Sequence, residues 1–216
     1  MARNPKYDIT MRTYWDSFTD PYQMGDQKHR LYLMDLLKEK GVKSVLDVGC
    51  GTGPIYEINM NHRYDFDYKG TDYSPAMIEI AKEHFPDALW EVEDARKLTE
   101  SDNSWDCVLL LHCLDHLDDY ASAIKEAARV SNKYVCIVLW RGFVNEGTNL
   151  NDRNTMGKEE GEEPWEDTHL QEYSEETLEK AFKDAGLKIE EIALGEKINS
   201  DHSKYNFLYL LRKENT

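Results

Sequence analysis

Residues 44–53, SVLDVGCGTG, carry the pattern that decides the fold. A short apolar run, interrupted by Asp47, leads directly into three glycines at alternate positions, Gly49, Gly51 and Gly53. An apolar strand followed by a glycine-rich turn is typical of a nucleotide-binding loop in an α/β protein. The stretch therefore predicts a nucleotide site at the end of a strand, and the spacing of its glycines restricts which nucleotide binds.

The glycine spacing argues against a dinucleotide. Dinucleotide enzymes favour G-x-G-x-x-G, in which a helix N-terminus holds the pyrophosphate. Here the spacing is G-x-G-x-G, and the next residue is Pro54. Proline has no backbone N–H to offer a phosphate at the helix start. A ligand without phosphate suits this turn better. An NAD(P)-dependent oxidoreductase is the alternative, and binding of a nicotinamide cofactor would support it.

The rest of the chain alternates between apolar runs and amphipathic stretches. Such alternation indicates a mostly parallel sheet covered on both faces. Five apolar runs are predicted as strands: KSVLDVG (43–49), YKGTDYS (68–74), ALWEVED (88–94), WDCVLLL (105–111) and KYVCIVLW (133–140). Two further stretches, LKIEEIAL (187–194) and YNFLYLLRK (205–213), have no helix between them and indicate an antiparallel hairpin. The prediction is an α/β, Rossmann-like fold with a seven-stranded, mostly parallel sheet, helices on both faces and an antiparallel C-terminal hairpin.

Start and stop residues mark the predicted helices. Ser74 caps a helix that Pro86 ends, and Ser174 caps a helix that Gly186 ends. Before the first strand, DQKHRLYLMDLLKEKG is amphipathic and ends at Gly41. A surface position is predicted for the arginine of this helix, Arg30, although its side chain is long enough to reach a ligand carboxylate.

Composition restricts the partners. The 216 residues include 42 Asp and Glu against 26 Lys and Arg, a formal charge of −16. Nucleic-acid affinity depends on Lys and Arg displacing counterions, so a nucleic-acid substrate is not expected. No apolar run approaches the roughly 20 residues that span a bilayer, and the first residues lack an apolar signal core. We therefore expect a cytoplasmic protein without a membrane partner.

The cysteines Cys50, Cys107, Cys113 and Cys136 form no CxxC pair. Most of them lie in or beside predicted buried strands, where cysteine acts as a small hydrophobic residue. Neither a disulfide framework nor a metal site is predicted.

Several motifs together resemble those of class I S-adenosylmethionine-dependent methyltransferases. VLDVGCGTG is similar to the first motif of that family, and YKGTDYSPAM places Asp72 at the position of its second. EDARKL follows, with Asp94 and Ala95 at the positions of adenine contacts. WDCVLLLHCLDHLDD and EYSEETLEKAFKDAGL resemble the small-molecule subgroup that includes ubiquinone and menaquinone C-methyltransferases. The resemblance covers about residues 41 to 212.

The resemblance implies S-adenosylmethionine as cofactor and names the residues that hold it. An acid at Asp72 would accept hydrogen bonds from the ribose hydroxyls, and the Leu111 carbonyl would accept one from the methionine ammonium. The full set of implied cofactor-binding residues is Asp47, Gly49, Cys50, Gly51, Asp72, Tyr73, Met77, Asp94, Ala95 and Leu111.

The acceptor is predicted to be a small molecule. A general base is needed only if the acceptor must lose a proton, and the candidates are His112 and Tyr14. His112 follows a strand end that faces the ligand crevice in open α/β sheets, whereas His116 is expected to turn inward. The candidate substrate-pocket residues are Trp15, Tyr22, Trp140, Arg141 and His169.

These assignments give one domain, residues 1–216, with four parts. Residues 1–40 form an N-terminal cap and first helix, 41–141 the cofactor-binding core, 142–173 an insertion over the acceptor pocket, and 174–216 the closing helix and hairpin. Alternatives to a small-molecule methyltransferase are a protein methyltransferase and an S-adenosylmethionine-binding protein without catalysis. Aromatic and acidic residues of the insertion also leave open a cationic amine as the small-molecule acceptor.

Overall fold

The computed structural model describes residues 28–117, 119–139, 174–194 and 207–214. Within them the chain forms a seven-stranded sheet with helices on both faces. The strands are β1 (Ser44–Val48), β2 (Asp67–Asp72), β3 (Leu89–Val92), β4 (Trp105–Leu111), β5 (Ser131–Leu139), β6 (Leu187–Leu194) and β7 (Phe207–Lys213). The helices are α1 (Lys28–Glu39), α2 (Pro54–Asn61), α3 (Pro75–His84), α4 (Tyr120–Val130) and α5 (Glu175–Asp184), and a 3-10 turn, Leu114–His116, follows β4.

The strand order is β3-β2-β1-β4-β5-β7-β6. Neighbouring strands from β1 to β5 pair in parallel, whereas β7 is antiparallel to both β5 and β6. The predicted α/β class and the C-terminal hairpin are confirmed. The order reverses between β1 and β4, and open α/β sheets bind ligands outside the carboxyl ends of the strands at such a reversal.

The continuous apolar runs exist because the sheet is buried on both faces. In β4, alternate residues belong to different cores: Cys107, Leu109 and Leu111 pack with α1, α2 and α3, and Val108 and Leu110 pack with α4 and α5. Since side chains alternate across a strand, a run without polar residues is the expected pattern for such a position.

The predicted helix caps are present. The Ser74 hydroxyl accepts a hydrogen bond from the Met77 N–H at 3.3 Å, and the Ser174 hydroxyl accepts one from the Thr177 N–H at 3.1 Å. Gly186, with φ 71°, follows α5. Side-chain caps of this kind satisfy backbone donors that have no partner within the helix.

Helix α1 and the residue after it, Lys40, are anchored to the sheet by apolar and polar contacts. The helix residues Leu33 and Leu37 have no exposed surface. The Tyr32 hydroxyl donates to Glu191 Oε1 at 2.5 Å, and Lys40 pairs with Glu190, so both polar contacts end on β6. No helix in the described part of the chain is long and apolar enough to cross a membrane.

An aromatic side chain, Trp90, forms the floor beneath the glycine turn. A Cβ at Gly70 would lie 2.3 Å from Trp90 Cζ3, and a Cβ at Gly53 would lie 2.6 Å from Trp90 Cη2. The indole N–H donates to the Phe85 carbonyl at 2.9 Å, which holds the ring in place. The two glycines are therefore needed for packing around one ring.

Gly70→Ala is expected to lower the free energy of unfolding by about 1–3 kcal/mol, because the added methyl overlaps the Trp90 ring. Gly41→Ala is the control, since Gly41 has φ 70° and nothing within 4 Å of a Cβ. Its loss, roughly 1 kcal/mol, comes from backbone strain alone. Urea unfolding of each variant with and without Trp90→Leu separates the two causes. Trp90→Leu should recover part of the Gly70→Ala loss and none of the Gly41→Ala loss; purely additive effects would contradict the packing role.

Candidate functional site

The glycine turn after β1 uses its backbone donors within the protein. Gly49 and Cys50 both donate to the Thr71 carbonyl, at 2.8 and 3.0 Å. The Gly51 N–H donates to Asp72 Oδ2 at 2.9 Å, and the Gly53 N–H donates to the Cys50 carbonyl at 3.1 Å. A pyrophosphate needs such N–H groups aimed at it. The contacts of this turn therefore argue against a dinucleotide.

The three glycines of the turn have different surroundings. All have positive φ: 78° at Gly49, 55° at Gly51 and 91° at Gly53. A Cβ at Gly49 would lie 2.6 Å from Cys113 Cβ, so the first glycine, like the third, is required by packing. A Cβ at Gly51 would meet nothing within 4 Å. The middle of the turn therefore borders open space.

Asp72, at the end of β2, is held at the border of this space. Its Oδ2 accepts the Gly51 N–H, and its Oδ1 accepts the Ser74 N–H at 2.9 Å. Each carboxylate oxygen accepts more than one hydrogen bond. The two backbone contacts orient the carboxylate and are compatible with further hydrogen bonds from a pair of hydroxyl groups.

The register pair Val48–Leu110 is the last that β1 and β4 form, and we call the point where their pairing ends the gap between β1 and β4. Beyond it Gly49 and Cys50 donate to Thr71 on β2, and Gly49 packs against Cys113. The gap lies at the reversal of strand order.

The Leu111 carbonyl is directed into this gap. Leu111 is the last residue of β4, and the next N–H, that of His112, donates to the Val138 carbonyl on β5 at 2.8 Å. Consecutive residues of a strand direct their backbone groups to opposite edges. The carbonyl of Leu111 therefore faces the β1 side, and a carbonyl oxygen is a hydrogen-bond acceptor.

A buried carboxylate, that of Asp47, and a buried guanidinium, that of Arg30, lie on the α1 face of the sheet. Asp47 is 2% exposed and accepts a hydrogen bond from the Tyr68 hydroxyl at 2.7 Å. Burial raises the pKa of Asp47 to about 6, against the effects of Tyr68 and Arg30. Arg30 is 4% exposed; burial lowers its pKa to about 10, and the charge of Asp47 opposes this shift.

The predicted surface position of Arg30 is therefore wrong. The first turn of α1 packs against the sheet, and the opposite charge of Asp47 offsets the cost of burying a guanidinium. This places a cation close to the predicted cofactor residues.

His112 pairs with a histidine that the sequence analysis did not single out. The Nε2 atoms of His29 and His112 are 3.2 Å apart, and the rings meet edge to face. Burial lowers the pKa of His29 to about 4, with a further contribution from Arg30. Burial also lowers the pKa of His112 well below its ordinary value, with further contributions from His29, Arg30 and His116. Both rings are neutral at pH 7, whereas an efficient general base has a pKa near the working pH.

The helical spacing of the sequence could have identified His29 as a residue of the buried face of α1. His29, Leu33 and Leu37 recur at four-residue intervals and so share a face of α1. A histidine on an apolar helical face is easily taken for an ordinary core residue, which is why its partner across the sheet was missed.

The other predicted site residues fall into two groups. The Met77 and Cys50 side chains are each 4% exposed, and Tyr73 is half-buried. Asp94 accepts hydrogen bonds from Arg96 through both carboxylate oxygens, and Ala95 packs against the core. The remaining candidates lie outside the described residues: Tyr14, Trp15, Tyr22, Trp140, Arg141 and His169.

The four cysteines have free thiols, and Cys50, Cys107 and Cys136 are buried. Within the described ranges, no three His, Cys, Asp or Glu residues are grouped as metal ligands would be.

A family model described as "Methyltransferase domain" matches residues 15–192, well over half of the chain. The chain belongs to the methyltransferase domain family. Members of this family use S-adenosylmethionine. The resemblance found in the sequence motifs is confirmed at the level of the family and the fold.

Curated relatives match part of this methyltransferase domain. Ajmaline N-methyltransferase of Rauvolfia serpentina is 32% identical over 107 residues, which cover 47% of this chain and 36% of the relative. A ubiquinone/menaquinone biosynthesis C-methyltransferase of Desulfotalea psychrophila is 32% identical over 129 residues, covering 57% of this chain and 52% of the relative. The chain thus matches about half, or less, of the length of these relatives.

A solved structure supports the same fold. Magnesium protoporphyrin IX methyltransferase of Synechocystis PCC 6803, crystallised with bound S-adenosylmethionine, superposes with a TM-score of 0.69. The sequences are 15% identical, and the match covers 99% of this chain and 100% of that one.

The buried histidines of this methyltransferase domain predict a loss of stability in acid. The pKa values of His29 and His116 are lowered from 6.5 to about 4. Between these pH values the unfolded chain takes up protons that the folded chain does not, so stability is full above pH 6.5 and falls toward pH 4, by on the order of 3 kcal/mol per histidine. Asp47 opposes this loss, because its raised pKa makes the folded chain take up a proton as the pH falls through about 6.

Urea unfolding at pH 7 and pH 5 tests this balance. His29→Gln should reduce the difference in free energy of unfolding between the two pH values, and Asp47→Asn should enlarge it. Equal differences in the wild type and both variants would contradict the assignment.

Proposed function

We propose that this protein transfers a methyl group from S-adenosylmethionine to a small-molecule acceptor. The glycine turn carries the proposal. Its N–H groups at Gly49, Cys50, Gly51 and Gly53 are used by protein acceptors, while open space lies beside Gly51 and the carboxylate of Asp72. A ligand with a ribose and no phosphate fits these groups better than a dinucleotide does.

The ribose and adenine would lie along the ends of β2 and β3. Asp72 would accept hydrogen bonds from the two ribose hydroxyls, since its backbone contacts already orient it. Tyr73 and Met77 would flank the ribose and adenine. Asp94 and Ala95, which follow β3, would contact the adenine.

The methionine end would lie in the gap between β1 and β4. The Leu111 carbonyl and Asp47 would attract its ammonium group, because one is a directed acceptor and the other a buried acid. Arg30 would bind its carboxylate, since a buried guanidinium beside Asp47 gives this region one group of each charge. An amino-acid zwitterion requires one partner of each charge, an acid for its ammonium group and a cation for its carboxylate.

When bound, S-adenosylmethionine supplies a methyl group on a positively charged sulfur. The contribution of the chain is to hold donor and acceptor in line and to exclude water. The Leu111 carbonyl and Asp72 would hold the two ends of the cofactor. An acceptor that attacks through a lone pair needs no protein base, whereas an acceptor that must lose a proton needs one. His112 and Tyr14 are the candidates from the sequence, and burial makes His112 a weak base because it lowers the pKa of the ring.

The relatives support a small-molecule acceptor. One is named for N-methylation of ajmaline and the other for C-methylation in ubiquinone/menaquinone biosynthesis. The acceptor-side candidates from the sequence are Trp15, Tyr22, Trp140, Arg141 and His169, whose aromatic and cationic side chains suit a partly apolar ligand.

Asp72→Asn is expected to weaken binding of S-adenosylhomocysteine about 10- to 100-fold, the range for losing hydrogen bonds to a charged group. Asp67→Asn is the matched control, because Asp67 is exposed at the other end of the same strand. Calorimetric titration with S-adenosylhomocysteine and NAD measures both effects. Tight binding of NAD, or equal losses in the two variants, would overturn the cofactor assignment.

The class of acceptor is tested by transfer of labelled methyl groups. The protein is incubated with methyl-labelled S-adenosylmethionine and a cell extract. The label should then pass a filter with a cut-off of about 3 kDa, which retains folded domains. Asp72→Asn should abolish most of the transfer. Label retained in protein would contradict the small-molecule proposal and support a protein methyltransferase.

A further inference from the structure

The contact between His29 and His112 joins two elements that are distant in sequence. His29 is in the first turn of α1 and is 3% exposed, and His112 is the residue after β4. Their Nε2 atoms are 3.2 Å apart, with ring centroids 5.2 Å apart and an interplanar angle of 87°. The contact therefore connects the helix that covers the sheet to the strand end that faces the proposed cofactor.

The backbone at His112 is strained. Its φ is 56°, in the left-handed region, where a residue with a Cβ costs roughly 1–2 kcal/mol. Such a conformation persists only where surrounding contacts hold it. The His112 N–H holds it on one side through Val138, and the ring contact to His29 holds it on the other.

The facing nitrogens of the pair lie at hydrogen-bond distance in a buried environment. Burial of His112, followed by the charges of His29, Arg30 and His116, lowers its pKa and so disfavours an imidazolium there. Two neutral imidazoles form a hydrogen bond only when one carries a hydrogen on Nε2 and the other carries its hydrogen on Nδ1. The contact is therefore a directional hydrogen bond.

The peptide plane between Leu111 and His112 determines where the Leu111 carbonyl is directed. The Leu111 carbonyl and the His112 N–H belong to this plane and point in opposite directions, so the carbonyl faces the β1 side while the N–H donates to Val138. A displacement of His112 that rotates this plane would redirect the carbonyl.

We propose that His29 is a positioning residue for the methionine end of the cofactor, because its hydrogen bond holds His112 in place and with it the peptide plane that carries the Leu111 carbonyl. The inference rests on the proposed function, since it takes that carbonyl as the acceptor for the cofactor ammonium. His29 lies on α1 and would therefore affect cofactor binding through the end of β4.

Two ligands distinguish positioning from general support of the fold. S-adenosylhomocysteine carries the amino-acid group, and 5′-methylthioadenosine carries the same nucleoside without it. His29→Asn should weaken S-adenosylhomocysteine about threefold to tenfold, the effect of one neutral hydrogen bond. It should leave the affinity for 5′-methylthioadenosine within about twofold, since the nucleoside contacts at Asp72 are on another strand.

His29→Gln is the matched rescue variant. The glutamine amide nitrogen occupies about the position of imidazole Nε2, whereas the shorter asparagine reaches only the position of Nδ1. His29→Gln should therefore retain most of the affinity for S-adenosylhomocysteine that His29→Asn loses.

His112→Asn tests the other partner without disturbing the backbone, because asparagine tolerates left-handed φ. It should lose affinity for S-adenosylhomocysteine to the same extent as His29→Asn, and the double variant should lose little more, as expected for two residues that act through one bond. The measurement on His112→Asn remains valid if His29→Asn does not fold. Urea unfolding of each variant shows whether it folds.

The outcomes separate the two proposals. If the wild type binds neither ligand, the proposed function fails. If the wild type binds both, but the His29 and His112 variants weaken both ligands equally or neither, the cofactor site stands and the positioning role of His29 is overturned.

Discussion

The structure depends on one pair of hydrogen bonds, from the N–H groups of Gly49 and Cys50 to the carbonyl of Thr71. These bonds draw the end of β1 toward β2, and the pairing of β4 with β1 ends at Leu110. The gap between β1 and β4 follows from this, and so does the space beside Gly51. A Cβ would overlap neighbouring atoms at two positions of the turn, because Gly49 packs against Cys113 and Gly53 against Trp90. The glycine spacing is therefore a packing requirement at these two positions, whereas Gly51 has positive φ and borders open space.

Much of the fold was predictable because its causes are local. Strands buried on both faces read as continuous apolar runs, and Ser74 and Ser174 cap helices through contacts within three residues. The candidate cofactor residues came from the resemblance of the motifs to a family, and their roles stay predictions. The contact of the Asp72 carboxylate with the Gly51 N–H joins two strands and was not predicted.

The wrong prediction for Arg30 and the features that the sequence did not reveal concern contacts between distant elements. Arg30 was expected at the surface because arginine is rarely buried, and its burial depends on Asp47, on a strand that only the folded sheet places beside α1. The His29–His112 contact has the same origin, across 83 positions of sequence. Trp90 beneath Gly53 and Gly70 is a third case, where a ring on β3 determines which residues the turn and β2 accept. Periodicity identifies which face of an element is buried and does not identify the partner.

The α1 face of the sheet combines groups that are costly to bury singly. Asp47, Arg30, His29 and His112 all lie near the end of β1 or β4, and each has a pKa shifted by burial. Opposite charges on Asp47 and Arg30 and a hydrogen bond between neutral histidines make that burial tolerable. The arrangement offers an amino-acid zwitterion one acidic and one basic partner, which the neighbouring glycine turn alone would not.

The most direct test of this account is a crystal structure of the protein with S-adenosylhomocysteine. The account predicts both ribose hydroxyls on the Asp72 carboxylate, the ammonium group on the Leu111 carbonyl and the space beside Gly51 filled by the ligand. A ligand bound elsewhere, or one that leaves the gap between β1 and β4 empty, would contradict it.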